Sequence, residues 1–301
     1  MLGVIWNYVD TIMSCVIVFR YLYHVNRVMA VQKTAMVIAM SLASSELAES
    51  WGAVRNAQLI RVYFPGWTLR IYMKKQVAVA AGDSKSTPSS VISRLLALGA
   101  DIVYVDTALT GIAAEWWSYM VADDLNVDFA LVRKPNSRLG EHDAMAVKDW
   151  ILLCEKSPLV AVHCIRDTAY QGTRPMMHGL WAARPRVLRQ LLGGRTLLSL
   201  IHQFINDSHS HSHADDWGPS DFLSQVLWPL VQPDAVVCHD SVSHDVWPSS
   251  VPLHHRNSQS TSHCVGAEYD SHEQLIFGCD LSDQSVSNVL SSIDNMLEFL
   301  V

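Results

Sequence analysis

Five short apolar runs, separated by stretches of helical spacing, constrain this chain most. They lie at residues 35–41, 67–73, 101–106, 129–132 and 159–165. Each is bounded by turn-forming or polar residues, so each predicts a strand. Between them, Ala53, Ala57 and Ile60 share one face of a helix begun near Gly52. The stretch Pro88–Leu98 opens on proline and stops at Gly99, the usual asymmetry of helix ends. Residues Glu141–Cys154 place Ala144, Val147, Ile151 and Cys154 on one buried face. Strand, helix, strand at this spacing predicts an α/β domain whose parallel strands are joined by helical crossovers.

Further helices are expected at Trp116–Val121, Val187–Leu192, Asp221–Leu230 and 282–301, and a last core strand at Ala235–Cys238. Residues 171–184, with Gly172, Pro175 and Gly179, read as an ordered loop, and 243–262 as irregular. Thr11–Phe19 is apolar, but Asn7 and Asp10 precede it and no basic segment leads into it. Two readings stay open for residues 1–34: a weak membrane anchor, or an amphipathic helix. Residues 35–301 form the α/β domain, and localisation is cytoplasmic or membrane-associated.

Half of the 301 residues are hydrophobic and 17% are charged, which supports a sizeable core. The formal charge of -7 argues against nucleic acid as a partner. Six scattered cysteines without a Cys-x-x-Cys pair exclude a zinc finger and a dense disulfide scaffold, and are expected as buried free thiols. The alternating His209, His211 and His213 read as a polar surface loop. No P-loop, Gly-x-Ser-x-Gly or dinucleotide-binding glycine fingerprint is present.

The chemistry is expected where the strand Phe129–Val132 runs into Arg133-Lys134-Pro135-Asn136-Ser137-Arg138-Leu139, because open α/β sheets bind ligands at strand ends. Other segments recur in an order that can be compared with a known family. They include Ser41-Leu42, Gly52-Ala53-Val54-Arg55-Asn56-Ala57 and Phe64-Pro65-Gly66-Trp67. Leu98-Gly99-Ala100, Val121-Ala122-Asp123-Asp124, Arg166-Asp167, Gly179-Leu180-Trp181 and His239-Asp240-Ser241 follow. Over about residues 35–270 this order resembles glycosyltransferase-like proteins with a GT-A-type, nucleotide-diphospho-sugar-transferase fold. The resemblance implies a Rossmann-type three-layer domain with a mixed, mainly parallel sheet. It also implies a nucleotide-sugar donor, a glycan acceptor and a Mn²⁺ or Mg²⁺ ion.

The resemblance assigns nucleotide-sugar contacts to Ser41, Arg55, Asn56, Asp124, Arg133, Lys134, Asn136, Arg138, Gly179 and Trp181. It makes Asp167 the candidate base or acceptor-orienting group, and His239 and Asp240 the candidate metal ligands. The departure lies at the centre. Where the family shows Arg-Asp-x-Asp-Ser-Arg-Leu, this chain has Lys134 and Asn136 in place of the two acids. A divalent ion on a diphosphate needs anionic oxygens. The expected function is therefore sugar transfer with a degenerate or metal-independent site. The alternative is a non-catalytic relative that binds a glycan, a nucleotide or a protein.

Overall fold

The computed structural model describes residues 34–42, 47–74, 89–208, 218–231, 234–242, 250–253 and 264–277. The expected N-terminal and C-terminal helices and the histidine tract lie outside the described residues, as does most of 243–262. Among the described residues no helix is long and apolar enough to cross a membrane.

The strands are β1 (Met36–Leu42), β2 (Thr68–Lys74), β3 (Asp101–Val105), β4 (Phe129–Arg133), β5 (Val162–Arg166), β6 (Leu180–Ala183), β7 (Val236–Asp240) and β8 (Ser250–Pro252). They form one sheet in the order β3-β2-β1-β4-β6-β5-β7-β8. Strand β6 runs antiparallel to both neighbours, β4 and β5, while the remaining pairs in this sheet are parallel. A separate hairpin pairs β9 (Glu268–Tyr269) with β10 (Leu275–Phe277). The α/β class and the mixed, mainly parallel sheet agree with the expectation.

Period-two alternation divides the strands between two cores. Ile38 and Met40 of β1 and Leu131 of β4 face the layer of α1 (Leu47–Tyr63), α2 (Ser89–Ala97) and α3 (Glu141–Lys156). There they meet Ala53, Ala57, Leu95 and Trp150. Val37, Ala39, Ala130 and Val132 face the opposite layer. That layer holds a 3₁₀ helix (Ala114–Asp123), α4 (Pro185–Leu191), α5 (Leu197–Ser208) and a helical run through Phe222 and Trp228. Trp116, Tyr119, Phe204 and Phe222 pack edge-on within it. The result is a three-layer domain.

Two expectations are corrected here. The stretch 171–184 is not all loop, since Leu180–Ala183 is a fully buried strand in the middle of the sheet. Covered on both faces, such a strand shows no alternation to mark it. The cysteines are not all free thiols. Cys164 and Cys238 are register partners on β5 and β7, with Cα atoms 4.6 Å apart, and form a disulfide. Cys264 is disulfide-bonded too. Cys154 fits the expectation: it is free and buried, and burial pushes its thiol up to about 11.

The two-core arrangement sets a graded expectation for truncation. Leu131→Ala, at a fully buried central position, should cost about 2–5 kcal/mol of unfolding free energy. Leu159→Ala, at a 60% exposed position, should stay within about 0.5 kcal/mol. Urea denaturation of both variants checks this; equal losses would contradict the layer assignment.

Candidate functional site

Strands β1 and β4 are neighbours, yet the chain leaves β1 towards β2 and β3 on one side and continues from β4 on the other. This is a topological switch point, where the carboxyl ends of adjacent strands part to leave a crevice. A cavity of about 160 Å³ lies there, lined by Ser41, Glu49, Glu115, Ser118, Lys134, Asn136 and His178 among others. The structure thus brings Ser41, Arg133, Lys134 and Asn136 of the expected residues together at the crevice.

The loop after β4 is held from below by α1. Asn56 is fully buried. Its Nδ2 donates to the carbonyls of Pro135 (3.1 Å) and Ser137 (2.7 Å), and its Oδ1 accepts from Leu139 N–H (3.1 Å). Gly52, one turn earlier, packs so closely that a Cβ there would collide with the Pro135 carbonyl oxygen. The Gly52–Ala57 motif therefore shapes the loop. Asn56 serves as a clamp beneath it, and Arg55 is exposed, donating to Gln58 at 3.2 Å.

Arg133 is the last residue of β4, and its guanidinium turns inward. Nε and Nη2 donate to the Asp143 carboxylate at 2.9 and 2.7 Å, and Nη1 to the carbonyls of Val132 and Trp181. Both side chains are no more than 3% exposed. Arg138 forms a two-pronged pair with Glu273 at 3.0 and 2.9 Å and lies 5.1 Å from the Tyr269 ring centroid. Both guanidiniums are thus engaged by carboxylates of the chain itself, and Arg133 also lines the crevice.

Lys134 and Asn136 share one partner. Lys134 Nζ donates to Glu268 Oε1 at 2.7 Å, and Asn136 Nδ2 donates to Glu268 Oε2 at 3.0 Å. Strand β9 reaches them because Ser137 and Glu268 form an antiparallel bridge and Tyr269 N–H donates to the Asn136 carbonyl. Gly179, with φ of +78°, lies against the lysine stem; a Cβ there would stand 2.7 Å from Lys134 Cγ. Its part in the site is thus to let Lys134 pass. The neighbouring His178 is pushed down to about 3, by burial first and by the Lys134 charge second, so its imidazole is neutral.

The remaining expected residues belong to other networks. Ser41 Oγ accepts from Ser118 N–H at 2.8 Å, fixing the 3₁₀ helix over the crevice. Asp124 pairs with Arg70 at 2.8 Å. Burial raises its carboxyl, but that pair and the Asn126 amide outweigh burial and leave it below the ordinary value. Trp181 is fully buried, 5.0 Å from the Tyr119 ring. Asp167 is 1% exposed; its oxygens accept from Ser241 Oγ (2.8 Å) and Val265 N–H (2.9 Å).

His239 and Asp240 differ most from their expected role as metal ligands. His239 Nδ1 meets His163 Nε2 at 2.8 Å, and its Nε2 meets Asp149 at 3.0 Å. Asp240 takes Arg166 Nε at 2.6 Å in a fully buried pair. A buried arginine on β5 needs this counter-charge from β7. Among the described residues no group of three His, Cys, Asp or Glu side chains could hold a metal ion. Glu268, Glu115 and His178 are site residues that sequence reasoning missed. His178 directly precedes the Gly179-Leu180-Trp181 segment, a signal that could have pointed to it; Glu115 and Glu268 lie in no quoted segment, and Glu268 is 134 residues beyond Lys134.

The fold is a three-layer α/β domain with a mixed, mainly parallel sheet and a crevice at its switch point. No protein-family model and no curated protein matches the chain. Among solved structures it is similar to a glycosyltransferase involved in glycosylation of the major capsid of PBCV-1. Identity there is 12%, over 69% of this chain and 82% of that one, with a TM-score of 0.38. It is also similar to the galactosyltransferase LgtC in complex with donor and acceptor sugar analogues (14%, 68% and 74%, TM-score 0.39). A third is the mannosyltransferase PcManGT from Pyrobaculum calidifontis in complex with GDP-Man and Mn²⁺ (14%, 53% and 46%, TM-score 0.30). All three are glycosyltransferases, and at TM-scores below 0.5 no residue role is carried over from them.

Two outcomes follow from these networks. Asp143→Ala leaves the Arg133 guanidinium buried without its carboxylate and should cost about 3–5 kcal/mol, whereas Arg133→Met with Asp143→Leu should recover most of it. Urea denaturation of single and double variants checks this. The second concerns acid. Burial, then His239 and Arg133, hold the His163 imidazole well below its ordinary value. The unfolded chain therefore binds a proton below about pH 6.5 that the folded chain refuses. The stability this residue contributes is fully present above that pH and is lost as pH falls below it. His163→Gln should flatten the stability profile between pH 7 and pH 5, read by urea denaturation; an unchanged slope would contradict this.

Proposed function

We propose that this chain is a glycosyltransferase-like protein that engages a nucleotide-sugar ligand at the switch-point crevice without a divalent metal. The observation that carries this reading is the Lys134–Asn136 pair, standing where the resembled family has two acids. An ammonium at that place repels a divalent cation and attracts phosphate oxygens. The group that the family implies does not fit these residues. The carboxylate that reaches them, Glu268, is already neutralised by Lys134. No step is therefore routed through a metal.

In this reading the anionic part of the ligand lies at Lys134 and Asn136. Glu115, on the crevice wall, repels phosphate and favours hydroxyl donors, so the sugar faces it. Lys134 supplies the positive charge that stabilises a leaving diphosphate, the main demand of this chemistry.

A non-catalytic binding role is the second reading. It is favoured by Asp167, the candidate base, whose buried carboxylate is tied to Ser241 and Val265.

Titration calorimetry of the full chain with a panel of nucleotide diphosphates and nucleotide sugars, with and without Mn²⁺, tests the proposal. The expected result is binding that changes less than about threefold on adding Mn²⁺, a difference below about 1 kcal/mol. A gain above about tenfold, or no binding to any member of the panel, would overturn it. Release of free sugar or nucleotide by the same sample separates the transferase from the binding module.

A further inference from the structure

We propose that Glu268 is an internal counter-anion. It occupies the oxyanion site of Lys134 and Asn136, and an external phosphate-class ligand must displace it. This deepens the proposed function and rests on its placement of the ligand's anionic part.

One carboxylate satisfies both donors, each oxygen taking one of them, at 2.7 and 3.0 Å. Two oxygens of a phosphate present the same pair of acceptors to the same two donors. The donors are held in place whether or not Glu268 is there. Asn56 clamps the carbonyls on either side of Asn136, and Gly179 lets the Lys134 stem lie against the backbone. The neutral His178 beside Lys134 adds no competing charge. The ammonium and the carboxylate are 37% and 24% exposed, so solvent reaches the pair and an outside anion can compete for it.

The carboxylate is carried by the β9–β10 hairpin, which docks on the loop rather than being continuous with it. Its attachments are the Ser137–Glu268 bridge, the Tyr269 amide on the Asn136 carbonyl, and the Arg138–Glu273 pair. Those contacts can persist while the Glu268 side chain rotates away. A partly exposed pair of this kind contributes little to stability, so its displacement is a modest obstacle. The site is therefore poised: closed by its own carboxylate when empty, and opened by an anion that binds better.

The test is pyrophosphate binding to the full chain by calorimetry at low salt. Glu268→Gln keeps the shape and removes the charge. It should bind pyrophosphate about three- to fivefold more tightly than the parent chain, and Lys134→Met added to it should abolish the gain. Glu268→Ala is the second variant, and thermal melting of each confirms folding. Equal affinity of the parent and both folded Glu268 variants would overturn the inference, as would a gain that survives Lys134→Met. Nucleotide-sugar binding, read in parallel, keeps the two proposals apart. A pyrophosphate gain without nucleotide-sugar binding upholds the counter-anion and sinks the functional reading. Nucleotide-sugar binding by the parent with no gain in either variant does the reverse.

Discussion

The loop after β4 has its shape because a fully buried amide, Asn56, uses both its donor and its acceptor on that loop's backbone. Everything at the crevice depends on this clamp. A surface loop with unmet carbonyls would need water or secondary structure to satisfy them. Here α1 provides the partner from below, and Gly52 lets the helix come close enough to do so. The loop can then present Lys134 and Asn136 upward in fixed positions. Arg133, one residue earlier, also lines the crevice, but its guanidinium is buried in its pair with Asp143.

Charge is distributed around the crevice in a way that the net charge of -7 does not reveal. Several arginines at or near the strand ends are paired with acids of the chain: Arg133 with Asp143 and Arg166 with Asp240 in buried pairs, Arg138 with Glu273 and Arg70 with Asp124 in part-exposed ones. The two buried pairs need not stabilise the fold beyond what apolar residues would, but losing one partner is expensive. Lys134 differs in combining two features. Arg133 also borders the cavity but is buried in its pair, and Arg138 has a part-exposed partner on the same hairpin but does not line that cavity. Lys134 both borders the cavity and holds a partly exposed pair.

The layer structure was legible in the sequence because alternation and helical spacing are direct records of which face is buried. Strand β6 was not, since Leu180–Ala183 is covered on both faces and follows Gly179. The spacing of Leu197, Leu200, Ile201 and Phe204 also marks α5, whose apolar face packs into the second core. At the site, the sequence located the segment but not its contacts. An arginine beside a strand end can turn to a ligand or to a buried acid, and only the fold brings Asp143 or Glu273 into reach. His239-Asp240 looks like a ligand pair at a strand end, yet His163 on the adjacent strand and Asp149 on α3 claim the imidazole. Glu268 closes the site from so far along the chain that no local pattern could have pointed to it.

The central claim is that the strand-end site answers an anion through Lys134 and has no place for a divalent cation. Crystals of the full chain soaked in MnCl₂, with data collected at a wavelength that reveals manganese by its anomalous scattering, test this most directly. The account predicts no manganese peak within bonding distance of Asn136 or Glu268, and the Lys134 ammonium still seated on the Glu268 carboxylate. A manganese ion ligated by Glu268, with Lys134 turned away, would contradict it.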